Sequence, residues 1–514
     1  MNHLNRREFL ASTAAAAVSS AWILPALSQP PGRYHGFPAS QLDGDPYIER
    51  VPIDGYQNAS ASAYEAFQDM KFGVRLHWGI YSIWGRGPES WPFLEMSFTE
   101  RQKYNDLYKT WNPSGFDADS WMDIFAQSGM KMFAFTSKHH EGFSMFDTHT
   151  RVKNRANWTA PSGPRIDSCD LAYSIMETPF RRDVVKELCD AAHKRDIKID
   201  LYFSHPDWYD ADFRPYVVHP LQVPSSAKLM TARDLERTRS TYHGHPVIVS
   251  DLTDAEVARM MQRHRAQLVE LLTNYGTIDM ICLDMWLGPK VWPQLRSTIM
   301  ELRKIQPNVM LRDRGIGNYG DYFTPERAVP ASQVGSDKPW FSIDPLGTDF
   351  SYEADASKYK GTAWIVQKLI DTVAKGGGLM VGVGPSATGE FHPEAIRQMK
   401  ATGAWLRVNG EAIYATRPRE RDDWAEGETI RYTRSKDRRF IYAILTAWPG
   451  SHLVLKSVQP RADSSVKLLG SDASLRWQFD ADRGTTITFP ENLQQTSNRP
   501  CEYAWTLRIE PTQE

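Results

Sequence analysis

Between residues 72 and 385, short apolar runs ending in polar or aromatic residues alternate with segments of helix length, and this alternation restricts the fold more than any other feature of the chain. The runs are FGVRLHWGI (72–80), MKMFAFTSK (130–138), IKIDLYFSH (197–205), IDMICLDMW (278–286), NVMLRDR (308–314) and GLMVGVGP (378–385). Their interiors are apolar, as expected of parallel strands covered on both faces. Helical spacing of apolar residues marks 116–128, 180–195, 254–275, 290–305 and 359–375, with Arg263, Arg265 and Glu270 expected on the solvated side of the 254–275 segment. Six strands, with room for two weakly patterned ones near 333–350, predict an α/β fold built as a (β/α)8-like barrel with long loops. A doubly wound open sheet is the structural competitor, and no Gly-rich phosphate turn supports it.

After Pro418 the pattern changes to strand alternation without helices, in ETIRYTR, RRFIYAILTAW, SHLVLKSV, SVKLLG, LRWQFD, TTITFP and YAWTLRIE. Residues 419–514 therefore read as a C-terminal β-sandwich, which either braces the barrel or binds carbohydrate, the brace being favoured. The division expected is a signal peptide over 1–28, an N-terminal extension over 29–60, a catalytic barrel over 61–418 and the sandwich. The signal reading rests on Arg6 and Arg7, the apolar stretch from Phe9 to Leu24 and the small residues Ala26 and Ser28. Within it, Asn5 to Leu10 resembles the twin-arginine pattern, which predicts export to a bacterial periplasm or the medium.

Apolar residues at 41% and charged residues at 24% place the chain among globular proteins. With 60 Lys and Arg against 62 Asp and Glu, no overall field draws it to nucleic acid or an anionic membrane. No later apolar run reaches the roughly 18–20 residues of a membrane span. Cys169, Cys189, Cys282 and Cys501 have no C-x-x-C spacing, so a zinc ribbon or redox motif is unsupported; a Cys169–Cys189 disulfide and a homo-oligomer stay open.

The polar residues gather at the C-terminal ends of the predicted strands, the rim on which parallel barrels build active sites. His77 and Trp78 close the first run, Lys138 to Phe143 the second, Tyr202 to His205 the third, Asp284 the fourth and Asp313-Arg314 the fifth, all expected to face one pocket. Asp284 interrupts an apolar run, and a buried carboxylate costs several kcal/mol unless paired. Two chemistries fit. His139, His140 and Asp284 are metal-ligand types for hydrolysis, provided the strand has become loop at the two histidines, since strand neighbours point to opposite faces. Alternatively, a glycosidase needs a carboxylate nucleophile and a second carboxyl as acid/base, with His, Arg and Trp gripping the sugar.

KFGVRLHWGIYS (71–82), KHHEGFSMFDT (138–148), LYFSHPDWY (201–209), RDRGIGNYGDYFTPE (312–326) and WLRVNGEAIYATRP (405–418) resemble successive blocks of the α-L-fucosidases of glycoside hydrolase family 29. The resemblance runs over roughly residues 60–510. It implies a barrel followed by a β-sandwich, retention of configuration, a fucosylated glycan or polysaccharide as substrate, and neither metal nor other cofactor. It assigns Asp284 as nucleophile and Glu326 as acid/base, with Glu89 in GRGPESW a competitor for that role. It assigns His77, His139, His140 and Arg314 to the fucose hydroxyls and Trp91 to the pocket wall. Tyr202 and Trp286 fall beside these strand ends, and Phe143, Trp78 or Trp286 is expected to receive the sugar methyl.

Three departures bear on substrate identity. Cys282 stands where many members have Trp, Gly378 and Gly382 where asparagines are common, and PWFSIDPLGTDFSY (339–352) lacks the usual Glu after its Trp. They keep open a related sugar such as an α-L-galactoside, or a silent glycan-binding protein.

Overall fold

The computed structural model describes residues 47–85, 87–214, 219–222, 252–330, 338–419 and 423–512; the expected signal peptide and most of the extension lie outside them. Seven strands form one all-parallel sheet: β1 (Phe72–Leu76), β2 (Met132–Lys138), β5 (Lys198–Ser204), β6 (Met280–Asp284), β7 (Met310–Leu311), β8 (Phe341–Pro345) and β9 (Gly378–Val383). Their order is β7-β6-β5-β2-β1-β9-β8. The gap between the two edges is closed by 322–326, which makes parallel bridges from Tyr322 to Arg312, Phe323 to Trp340 and Glu326 to Ile343. This segment is the eighth stave. Sequence patterning places both weak strands near 333–350, but one of them lies upstream, where Pro325 and polar residues hide it.

The inserted strands β3 (Val152–Asn157) and β4 (Arg165–Leu171) form an antiparallel hairpin after β2. Of the helices, α1 (Ala61–Met70) precedes the barrel, α2 (Tyr81–Trp84) and α3 (Phe98–Asn105) follow β1, and α4 (Ala118–Gln127), α5 (Val184–His193), α6 (Asp254–Thr273), α7 (Trp292–Ile305), α8 (Thr362–Ala374) and α9 (Pro393–Asn409) lead on toward the next strand or sheet. Helix α6 starts at a capping box, Thr253 with Glu256, which satisfies backbone donors left free at its first turn.

Side chains alternate across each strand. Phe72, Val74 and Leu76 pack outward with Phe133, Phe135, Ile199, Leu201, Ile281 and Leu283 against the helices. The inward set begins with Met132, Met280, Met310, Met380, Phe341 and Ile343, and α1 closes that end with Phe67 and Met70. Two residues further along, the inward positions turn polar: Arg75, Asp200, Cys282 and Arg312 are all buried. Strand β2 breaks its own alternation at an irregularity between Thr136 and Lys138. Lys138 thereby leaves the barrel axis for a buried network in which its Nζ lies 3.8 Å from Asp207 and 3.4 Å from Gln267 of α6. Arg263 belongs to that network, 2.5 Å from Asp207, so it is buried rather than solvated as its position on α6 suggests. Arg265 does face outward and pairs with Glu301 of α7, while half-buried Glu270 accepts from the Thr148 hydroxyl at 2.7 Å.

All seven C-terminal runs are strands: β12 (Ile430–Ser435), β13 (Ile441–Leu445), β14 (His452–Leu455), β15 (Val466–Leu468), β16 (Ser474–Asp480), β17 (Gly484–Thr488) and β18 (Trp505–Ile509), joined by the short β10 (Thr416–Arg417) and β11 (Ala425–Glu426). Strand β16 pairs with β15 near its start and with β17 over the rest, so the antiparallel path turns there and both halves share one apolar core. This unit sits on the barrel's helices: Trp405 of α9 donates to the Ala504 carbonyl at 2.8 Å, and Arg431 pairs with Asp371 of α8 at 2.6 Å. The four cysteines are free, so the Cys169–Cys189 disulfide is not formed.

Candidate active site

The inward period of the strands delivers the site. Continuing it by one more step brings His77 after Arg75, Tyr202 after Asp200, Asp284 after Cys282 and Arg314 after Arg312. Asp284, 8% exposed at the end of β6, is held from three sides. Its Oδ1 accepts from Arg314 Nη1 at 2.6 Å and lies 3.6 Å from Arg312 Nη1, and its Oδ2 accepts from the Tyr202 hydroxyl at 2.7 Å. Burial pushes the pKa of this carboxyl up, but the charges of Arg314 and Arg312 overcome it and hold the group well below the usual range. Asp284 is an anion at neutral pH, aimed into the barrel mouth.

Glu326 shares the same guanidinium. Arg314 Nη2 and, at 3.2 Å, Arg312 Nη2 donate to its Oε1. Its side chain is 41% exposed, on the solvent side of the clasp. The local burial that would raise its pKa is outweighed by the two arginines, and the group sits below its ordinary value. Glu89 is the opposite case. It is 6% exposed, its Oε1 has no partner among the described residues, and it sits at φ 41°. Burial first, and then the nearby carboxylates of Asp349 and Glu326, push its pKa up to about 8. The two candidates for the acid/base role thus carry opposite protonation states in the free protein.

The histidines converge because β2 ends at Lys138, so His139 and His140 lie in the following loop and both turn inward. Their rings are 4.2 Å apart, and His77 lies 5.9 Å from His139. His139 is hydrogen-bonded to Ser90 at 2.5 Å and His140 to Ser204 at 2.6 Å, while His140 Nε2 lies 3.8 Å from Asp284. Burial lowers the pKa of all three, which makes them neutral donors and acceptors suited to hydroxyl groups. Gly142 lets this loop close: at φ 86° a Cβ there would sit 2.0 Å from Asp207 Oδ1. Trp91 packs edge-on to His140 at 4.9 Å, and Trp208 reaches the same imidazole at 5.3 Å. Among the described residues no group of three or more His, Cys, Asp or Glu is arranged to hold a metal ion.

Several expected members lie elsewhere. Trp78, the strand neighbour of His77, faces the helices, packed on Trp111, Phe116 and Trp121 with its N–H given to Ser386. Phe143 packs on Trp111 and Tyr173 behind the rim. Trp286 is half-buried beyond Asp284, its backbone crowded against Gly315. His205 turns away from the mouth to bond His264 of α6 at 3.0 Å and the Arg314 carbonyl at 3.3 Å, so it steadies the arginine from behind. Asp313 is buried 3.7 Å from Lys338, outside the clasp.

Sequence alone assigns nothing to Arg312, Arg75 or Trp208, and places Glu141 only among the residues that close the second run. Arg75 lies 4.6 Å over the Tyr202 ring and 4.0 Å from Asp200, and Glu141 backs His139 at 3.6 Å. Arg75 and Arg312 are readable once the period of two is carried backward from His77 and Arg314. Two of the three departures have local explanations. A Cβ at Gly378 would meet Phe341 at 2.3 Å, and one at Gly382 would meet Phe350 at 2.3 Å. The rings of Phe341 and Phe350 therefore occupy the space beside these two glycines, and Phe350 lies 5.1 Å from His77. Cys282 is small enough to admit Arg312, whose Nη1 lies 3.3 Å from its Sγ.

Residues 53–411 match the family model described as Alpha-L-fucosidase, and residues 423–510 match the one described as Alpha-L-fucosidase C-terminal domain. A plasma alpha-L-fucosidase of Pongo abelii is 27% identical over 467 residues, covering 86% of this chain and 89% of that protein. Among solved structures, alpha-L-fucosidase isoenzyme 1 from Paenibacillus thiaminolyticus superposes with a TM-score of 0.67 at 24% identity, covering 87% of this chain and 98% of the other. An alpha-L-fucosidase from Bacteroides thetaiotaomicron, trapped as a covalent intermediate with 2-fluoro-fucosyl fluoride, gives 0.66 at 22% identity, covering 90% and 98%.

Proposed function

Because this chain belongs to the α-L-fucosidase family, a family of glycoside hydrolases, we propose that it is an exported, retaining exo-α-L-fucosidase that removes terminal α-L-fucosyl residues from glycans or polysaccharides. The observation that carries this reading is the single Arg314 guanidinium with Asp284 on one nitrogen and Glu326 on the other. Two carboxylates held by one fork lie close together, as a retaining pair must at roughly 5–5.5 Å.

In this reading an Asp284 oxygen attacks the anomeric carbon while the glycosidic C–O bond breaks and the acid gives its proton to the departing oxygen. A water then loses a proton to the same residue and attacks the anomeric carbon, and Asp284 leaves as carboxylate. Tyr202 and Arg314 keep the nucleophile charged and oriented. His77, His139, His140 and Trp91 surround the sugar, and the Phe350 ring against His77 favours a methyl over the hydroxymethyl of an α-L-galactoside. The relative trapped as a covalent intermediate supports retention by analogy.

Glu326 is the acid/base of this proposal because it stands across the shared guanidinium from Asp284 on the open side of the site. Two arginines oppose its protonation, so substrate must loosen their hold before it can act as an acid. A second reading gives the role to Glu89, whose carboxyl already holds its proton at neutral pH. Azide decides between them. With 4-nitrophenyl α-L-fucoside as substrate, azide is expected to restore turnover to Glu326→Ala and to yield fucosyl azide; rescue of Glu89→Ala alone would transfer the role to Glu89. Release of 4-nitrophenol from the α-L-galactoside but not the fucoside would overturn the substrate.

The export reading rests on Arg6-Arg7 and the apolar stretch that follows, and a fusion of residues 1–28 to a reporter is expected to reach the periplasm only with both arginines intact. We read 61–418 as the catalytic unit and 419–514 as its brace, on the strength of the Trp405 and Arg431 contacts.

A further inference from the structure

Beside the sugar-binding rings lies a cleft of about 350 Å³ to which the chemistry above gives no task. Its walls are Tyr81, Ser82 and the glycines at 85 and 87 on one side, and the loop from Thr348 to Ala354 with Lys358 on the other. Two features join it to the reacting centre. Tyr81 lines the cleft while its ring lies 5.6 Å from His139 and its hydroxyl is 3.2 Å from Thr136. The 348–354 loop works in both directions: Phe350 turns in to His77, whereas Asp349, Ser351 and Tyr352 line the cleft.

Glu89 stands at the junction. Its backbone N–H donates to Ser351 Oγ at 2.7 Å, and Asp349 is near enough to raise its pKa. The loop is packed directly on Gly384, where a Cβ would lie 2.6 Å from the Tyr352 nitrogen and 3.0 Å from the His77 carbonyl oxygen. Cleft and sugar pocket therefore share walls at Tyr81 and at the 350–352 backbone.

The lining has the chemistry of a saccharide site. Tyr352, 37% exposed, is one of four large apolar side chains left in solvent among the described residues, and the other three (Val51, Val454 and Phe479) lie outside the cleft. A phenol ring offers a flat apolar face for the C–H side of a pyranose and a hydroxyl at its edge. Asp349 and Glu353 are already oriented, Asp349 by Arg327 at 2.7 Å and Glu353 by Thr348 at 2.7 Å, yet a carboxylate has about four acceptor sites and each keeps some for ligand hydroxyls. The volume lies in the range of small-molecule sites.

We infer that this cleft binds the leaving-group saccharide, with Tyr352 as its stacking surface and the carboxylates of Asp349 and Glu353 as acceptors for its hydroxyls. The inference rests on the fucosidase reading and goes further by locating the part of the substrate that sets linkage preference. A neutral hexose or N-acetylhexosamine suits these walls.

The test compares substrates with and without a saccharide leaving group. On α-L-fucosyl fluoride, Tyr352→Ala is expected to stay within about twofold of the parent, since fluoride needs no cleft. On the best hydrolysed of 2′-fucosyllactose, 3-fucosyllactose and α-1,6-fucosyl-N-acetylglucosamine, the same variant is expected to lose about tenfold in kcat/KM, mostly through KM. Lactose is expected to inhibit fluoride hydrolysis by the parent, and to inhibit that by Tyr352→Ala less strongly. Glu353→Gln is expected to weaken the oligosaccharide and spare the fluoride in the same way. Equal losses on fluoride and oligosaccharide, no loss on either, or a parent that cleaves fluoride and none of the three oligosaccharides would each overturn the cleft assignment. A parent inert toward the fluoride would instead overturn the fucosidase reading beneath it.

Discussion

The two ends of the barrel interior are built from the same strands and obey opposite rules. At the closed end the inward side chains are Met132, Met280, Met310, Met380 and Ile343, sealed by Phe67 and Met70. One or two steps of the same period along, at roughly 6.6 Å per step, they are Arg75, Arg312, Arg314, Asp284 and His77. Flexible, polarizable methionines fill an irregular space at little cost. Buried guanidiniums and carboxylates each lose several kcal/mol of hydration, which only close pairing offsets. The mouth is therefore the part of the barrel selected for chemistry, and the methionine end supplies the stability that the mouth lacks.

Asp284→Asn tests this contrast with the largest effect. Turnover of an aryl α-L-fucoside is expected to fall on the order of 10⁴-fold, with the shape of the side chain kept and the loss appearing in kcat. At the other end, Met280→Ala is expected to cost about 2–5 kcal/mol in the barrel's urea transition, with kcat/KM held within about threefold. A methionine variant that lost turnover and kept its stability would abolish the distinction.

A smaller effect separates two carboxyls of the mouth. The ordinary glutamate value is 4.5, and Glu89 in the folded chain is pushed up to about 8. A raised folded-state pKa means that its contribution is complete below the unfolded value and is lost as pH rises toward the folded one. The parent is thus expected to lose melting temperature between about pH 4.5 and 8 more steeply than Glu89→Gln, whose amide does not titrate. Parallel profiles would mean that Glu89 is ionised in the folded protein. The smallest effect belongs to the sandwich surface, where Phe479→Ser is expected to change stability by less than about 0.5 kcal/mol and to leave catalysis unchanged.

Much of this was legible in the chain. The apolar runs found six of the seven regular barrel strands and all seven long strands of the sandwich, because strands buried on both faces must be apolar and half-buried ones must alternate. Asp284 and Arg314 were visible as charges ending such runs. What escaped was set by packing across distant segments. Whether Trp78 or His77 faces the mouth depends on which face of β1 looks inward, and the helices decide that. Lys138 was misplaced by an irregularity in β2, Arg263 by a partner, Asp207, that lies 56 residues away. Nor do Gly378 and Gly382 announce that Phe341 and Phe350 stand beside them, since those contacts exist only after β8 and its loop have docked on β9.

The stave that carries Glu326 differs from its neighbours in one further respect. Where the regular strands exchange continuous ladders, 322–326 is held by single bridges; the Ile343 amide donates to the Pro325 carbonyl at 2.9 Å, but the Tyr322, Phe323 and Phe341 amides lie 3.4, 3.2 and 3.3 Å from their acceptors and Pro325 offers no N–H at all. Isolated bridges in place of a ladder, with one donor missing, make this the seam along which the cylinder is expected to open first. Amide deuterium uptake should therefore run ahead of global unfolding along this one edge, and a ligand gripping both Asp284 and Glu326 should suture it, slowing exchange there while the methionine end keeps its rate.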